Sequence, residues 1–215
     1  MIISPGRRYV FVHIPKTGGT SLAVALEARA MRDDILIGDT PKARRRKRRL
    51  DRLNAAGRLW KHSCLADIDG VVSADDLDAM FVFTLVRNPW DRVVSYYHWL
   101  RSQRFAHPAV WLARSVDFAA FLAHADTQAR FSNDSYDRYV TDASGRVRAQ
   151  CYIRLEHLVE DLAPLEAHLG VSLAPVPHLN ASERPRDYRT CYSDADAEAI
   201  GQLWAADIAR FGYTF

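Results

Sequence analysis

The chain has 215 residues, of which 48% are hydrophobic and 26% charged, with a formal net charge of +3. That length and apolar content suit one compact domain spanning 1–215, and so slight a basic excess argues against a nucleic-acid coat. Cys64, Cys151 and Cys191 are scattered without C-x-x-C spacing, which points to neither a disulfide framework nor a zinc site and suits a reducing cytoplasm. No apolar run reaches the ~20 residues of a membrane helix, and the first strand begins too early to leave room for a signal peptide. A cytoplasmic protein without a membrane span is the expectation.

Tyr9–Ile14 is a short apolar, β-branched run of the kind buried on both faces of a sheet. Pro15 stops it, Lys16–Gly19 form a glycine-rich turn, and Thr20 and Ser21 open a helix running to Met31. Strand, tight turn and helix N-terminus together present several backbone N–H groups to one anion. The helix end adds about half a positive charge, Lys16 a whole one, and Thr17, Thr20 and Ser21 offer hydroxyls. The pattern is that of a loop holding a phosphate-like group. It is not G-x-x-x-x-G-K-[ST], because Lys16 precedes Gly18 and Gly19 instead of following them.

Residues 42–49, KARRRKRR, hold seven basic side chains in eight. Such a run reads as a solvated helix face, as a surface for an acidic acceptor, or, with no aromatics interleaved, least well as a nucleic-acid contact. His62 and Asp67 lie in the following stretch, WKHSCLADID. Phe81–Val86 is a second buried strand. Arg87 follows it, and then a helix begins with Asn88 as N-cap, Pro89 at N1 and Asp91 at N3, as in a capping box. Trp90, Val93, Val94, Tyr97 and Leu100 form its apolar stripe, with Arg92, Ser95 and Trp99 on another face. Arg87 and Ser95 can then both point into the crevice above a parallel sheet, where open α/β folds bind ligands.

Beyond residue 100 the pattern is weaker. Residues 101–150 suggest helices and a polar loop, Gln150–Leu155 a third strand, and Glu156–Leu169 a helix closed by Gly170. His178–Arg189 reads as a loop carrying Asn180, Ser182, Arg184 and Arg189, and Ser193 and Asp196 cap a final helix. The fold class expected is α/β: a three-layer, P-loop-like domain with a mostly parallel central sheet flanked by helices.

PKTGGTSL followed about seventy residues later by R-N-P-W-D-R-x-x-S-x-Y resembles the sulfotransferases that use 3′-phosphoadenosine-5′-phosphosulfate (PAPS), closest to the carbohydrate and heparan-type branch and its bacterial relatives. The resemblance runs along most of the chain. It implies that Lys16, Thr17, Gly18, Gly19, Thr20 and Ser21 bind the 5′-phosphosulfate, and that Arg87 and Ser95 bind the 3′-phosphate. It also implies that His62, in an H-x-x-x-x-[DE]-[IL] layout with Asp67 and Ile68, is the catalytic base. Asp67 would then orient the imidazole or merely cap a helix. Lys16 would stabilise the leaving phosphate oxygen without a metal ion, and activity would rise with pH through about 6–7, the range of an ordinary histidine. The loop at 178–189 would fold over the nucleotide, and acceptor recognition would fall in 101–150, where family members differ. The acceptor would be a hydroxyl of a saccharide or other small molecule, anionic ones included, with no nucleic acid involved. Two other classes share part of the pattern: a P-loop nucleotide or small-molecule kinase, and a non-catalytic polyanion-binding module.

Overall fold

The computed structural model describes residues 1–177, 179 and 184–215. Five strands, β1 (Ile2–Ser4), β2 (Tyr9–Val12), β3 (Ile35–Leu36), β4 (Phe81–Val86) and β5 (Cys151–Arg154), form one sheet in the order β3-β1-β2-β4-β5. In chain order the α-helices are α1 (Gly19–Ala28), α2 (Pro41–Arg46), α3 (Ala74–Asp78), α4 (Pro89–Ser102), α5 (Pro108–Ser115), α6 (Phe118–Ala123), α7 (Ala125–Ser132), α8 (Tyr136–Val140), α9 (Leu158–Asp161), α10 (Ala163–Leu169), α11 (Asp194–Leu203) and α12 (Ala205–Phe211). The chain divides into two compact units, one of Met1–Val86 with Tyr136–Asn180 and one of Arg87–Ser135 with Ala181–Phe215.

The first unit holds the sheet. β2, β4 and β5 pair in parallel, with Phe11 opposite Phe83 and Phe83 opposite Cys151, while β1 adds antiparallel to β2 and β3 antiparallel to β1. The strand period of two sends Tyr9, Phe11, Phe83, Leu85, Cys151 and Ile153 to one face. There they pack with Leu22 and Leu26 of α1 and Leu165 of α10. The alternate residues Val10, Val12, Val82 and Val86 are buried as well. On that face the Tyr152 hydroxyl donates to Asp137 of α8 at 2.5 Å. Helices therefore cover both sides, which is why these strands read as unbroken apolar runs rather than alternating ones. The antiparallel edge is an addition to the expected sheet: β1 and β3 are three and two residues long, too short for a periodicity to show.

The second unit is helical. Trp90, Val93, Tyr97 and Leu100 of α4 pack with Val110, Phe121, Phe131, Ile200 and Trp204. The Trp90 indole N–H donates to the Ala197 carbonyl at 2.7 Å, so the ring's one polar atom is satisfied in the core. Arg92 and Ser95, expected away from the apolar stripe, are also buried; Arg92 is held there by Asp134, at 2.8 Å. A guanidinium enters a core only with such a partner. No described helix is long and apolar enough to cross a membrane.

Candidate active site

In the first unit, β2 ends at Val12 and the chain turns through Pro15–Gly18 into α1. Lys16 sits at φ +64°, a left-handed conformation uncommon for a side chain with a Cβ and costing about 1–3 kcal/mol. Gly18, at φ +85°, is the N-cap of α1, and the Leu155 side chain lies 2.6 Å from where its Cβ would be. Gly19 admits no side chain either, because a Cβ there would stand 2.3 Å from the His13 ring.

The start of α1 differs from that of α4. No side chain caps α1, and its first turn holds no acidic residue. At α4, by contrast, the Asn88 side chain accepts from the N–H groups of Trp90 and Asp91. An uncapped N-terminus preceded by lysine has amides and partial positive charge to give to an anion. The hydroxyls are less alike than the sequence implied. Thr17 is fully buried and donates to the Ile14 carbonyl at 3.0 Å, so its proton braces the turn. Ser21 accepts from the Leu179 N–H at 3.1 Å, and Thr20 lies half-exposed in the first turn.

His62 belongs to the same unit. Its Nδ1 lies 2.7 Å from the His13 carbonyl oxygen. A carbonyl only accepts, so Nδ1 carries the proton and the lone pair resides on Nε2. Asp67 has no part in this: its carboxylate accepts from the Cys64 N–H at 2.7 Å, closing a capping box on the 3-10 turn Leu65–Ile68. The His13 ring links the parts, meeting the His62 ring edge-on at 4.8 Å and covering Gly19. Burial pushes the His62 imidazolium down to about 3 and holds His13 well below the usual histidine range. Both rings are therefore neutral near pH 7. The unfolded chain takes up these protons first, near 6.5, so the two rings make the fold less stable as pH falls from about 6.5 towards about 3. Trp60 packs edge-on against His62 at 5.1 Å.

Arg87 and Ser95 belong to the second unit. Arg87 directs Nε and Nη2 to one oxygen of Asp91, at 2.8 and 2.5 Å, and Arg184 directs Nη1 to the other oxygen at 2.5 Å. Asp91 therefore clamps two guanidinium groups and does not serve the capping box expected of it. Ser95 follows one turn along α4, four residues from Asp91, hence on the same face, and is buried. The expected loop residues Asn180 and Ser182 lie outside the described residues, whereas Arg184 is placed by its Asp91 pair. His13, Asp91 and Trp60 are the additions that sequence reasoning did not find. The signal for His13 was its position two residues before Pro15, and for Asp91 its i, i+4 spacing from Arg87.

In the first unit, a sheet with a parallel core leads through its first loop into a helix whose N-terminus no side chain caps. The chain belongs to the Sulfotransferase family, whose model matches residues 1–214. No curated protein matches it in sequence. Its fold is similar to that of mouse sulfotransferase SULT7A1 complexed with PAP, with a TM-score of 0.56 and 15% identity over 96% of this chain and 86% of that one. The sulfotransferase from Alicyclobacillus acidocaldarius aligns over 94% of each chain at 17% identity, with a TM-score of 0.38.

Proposed function

We propose that this protein transfers the sulfuryl group of PAPS to a hydroxyl of a saccharide or other small acceptor. The observation that carries the reading is the uncapped start of α1, with Lys16 in its left-handed turn and two glycines that no Cβ can replace. That cradle suits a phosphosulfate, the group that supplies the activated sulfuryl when bound. Family membership and the PAP carried by the mouse neighbour support the choice of nucleotide. Lys16 and the first-turn amides of α1 would hold the bridging oxygen and stabilise the charge left on it. His62 Nε2 would take the acceptor's proton, its tautomer set by the His13 carbonyl. Arg87 and Ser95 would hold the 3′-phosphate, with Asp91 keeping the guanidinium in place.

Calorimetric titration tests this directly. PAP should bind more tightly than 5′-AMP by at least about 2 kcal/mol, roughly thirtyfold, since a charged and a hydroxyl contact serve only the former. Equal affinities, or preference for ATP–Mg²⁺, would remove the sulfotransferase reading in favour of a kinase. Turnover should also persist in EDTA, because lysine and backbone amides carry the electrostatics; loss that Mg²⁺ restores would point the same way as ATP.

Gly19→Ala supplies a local check. A methyl group 2.3 Å from the His13 ring forces the ring or the turn aside, so PAP affinity should fall by at least about tenfold with the fold retained. Wild-type affinity in a folded Gly19→Ala protein would mean that the turn does not touch the nucleotide.

A further inference from the structure

His13 follows β2, and the strand period of two sets its side chain beyond Phe11, on the face that α1 covers. The two rings stack with centroids 5.8 Å apart. From there the imidazole reaches the start of the helix. Its Nε2 lies 2.7 Å, and Cδ2 2.3 Å, from where a Gly19 Cβ would stand. Cβ positions on a helix tilt towards its N-terminus, so this ring edge lies beside the end of α1 that presents its amides. On its other side the ring meets His62 edge-on, at 4.8 Å between centroids.

This is a costly place for a polar ring. His13 is only 7% exposed. Its backbone carbonyl is engaged by His62, but neither ring nitrogen forms a hydrogen bond among the described residues. A phenyl ring would stack on Phe11 without leaving a polar atom unpaired, so the imidazole calls for a partner from outside the chain. The ring is neutral near pH 7, burial being the main cause, and therefore has one N–H to give. Nothing within the protein fixes that proton on Nδ1 or Nε2. Anionic oxygens at the helix start, which only accept, would hold it on Nε2.

The start of α1 stands on one side of this ring and His62 on the other. Those are the two ends of the transfer proposed above, the departing oxygen and the base. We propose that His13 is a further catalytic residue, whose Nε2–H donates to a non-bridging oxygen of the sulfuryl group as it passes from the cradle to the acceptor. The inference rests on the sulfotransferase reading and adds to it a contact made to the sulfuryl group rather than to the rest of the nucleotide. The bond from sulfur to the bridging oxygen breaks, with the electron pair staying on that oxygen. A bond from sulfur to the acceptor oxygen forms, and the acceptor's proton goes to His62. The His13 imidazole neither gains nor loses a proton; its N–H lowers the energy of the charge spread over the sulfuryl oxygens.

The test compares PAPS with PAP, which lacks the sulfuryl group, on the full chain with acceptor withheld. In wild-type protein labelled with ¹⁵N-histidine, the His13 Nε2 resonance is assigned by its absence from a His13 variant. It should move on adding PAPS and stay nearly in place on adding PAP. His13→Leu has a similar volume and cannot donate, yet keeps the backbone carbonyl that orients His62. It should bind PAP within about a factor of two of wild type and PAPS at least about fivefold more weakly. With acceptor present, its kcat should fall at least about tenfold. His13→Gln, whose amide N–H can take the place of Nε2–H, should recover most of both losses. A His13 resonance that PAPS leaves unmoved overturns the proposal. So does a loss in His13→Leu that PAP and PAPS share equally and that His13→Gln does not repair, the mark of a ring that only walls the turn. Wild-type protein that binds neither nucleotide would remove the sulfotransferase reading and this contact with it, whereas binding of both with an unmoved His13 resonance removes the contact alone.

Discussion

His62→Ala should lower turnover by at least about 10²-fold while PAP affinity stays within about a factor of two of wild type. As the proposed base, the ring would take a proton that moves only during transfer, and the groups proposed to hold the nucleotide lie elsewhere, so the loss would belong to kcat rather than to donor binding. The pH profile carries a second expectation. An ordinary histidine would give a rising limb through about 6–7. With burial holding His62 down to about 3, the free protein has the neutral ring ready at any pH above that. The kcat/KM profile should therefore show no histidine limb between pH 5 and pH 8 from this residue. A phosphosulfate bound as proposed would bring negative charge towards the ring and favour its protonated form, so the corresponding limb in kcat should lie higher than in kcat/KM. A limb near pH 6.5 in kcat/KM that vanishes in His62→Ala would show that the imidazole is solvated in the working protein. Turnover at the wild-type rate in His62→Ala would place the base elsewhere, with His98 and His107 the next to substitute. His107 is the weaker of the two, since its Nδ1 already accepts from the Ala109 N–H as the cap of α5.

The second large effect is expected at the arginine clamp. Arg87→Ala should erase most of the preference for PAP over 5′-AMP, a fall of at least about tenfold in the ratio, with the 5′-AMP affinity itself little changed. The fold should survive, because Asp91 keeps its bond to Arg184. Asp91→Asn tests the clamp itself. It removes no group that faces the phosphate but leaves two guanidinium groups without the charge between them, so the ratio should fall by a smaller factor, and Asp91→Glu should restore part of it. If Asp91→Asn instead binds PAP more tightly than wild type, the carboxylate competes with the phosphate and does not position the arginines.

Local chemistry made much of this protein legible. Strands β2 and β4, the turn at Lys16–Gly19 and the start of α4 could be read because each is written in adjacent residues. Unbroken β-branched runs mark buried strands, a Gly-Gly pair marks a turn that no Cβ permits, and Asn88-Pro89 marks a helix start. Pairing across distance could not be read. Asp91 sat where a capping box predicts it, and only the fold brought Arg184, 93 residues away, to its other oxygen. Asp67 matched a catalytic spacing, yet it turned to its own helix start, while a backbone carbonyl 49 residues back took the imidazole. A carbonyl has no residue type, so no pattern announces it. The low proton affinity of His62 likewise comes from what surrounds the ring, not from the ring itself. Residue types in sequence thus determined which groups this protein possesses, and tertiary packing decided their partners and charge states, because burial and hydrogen bonding depend on neighbours that the chain order does not name.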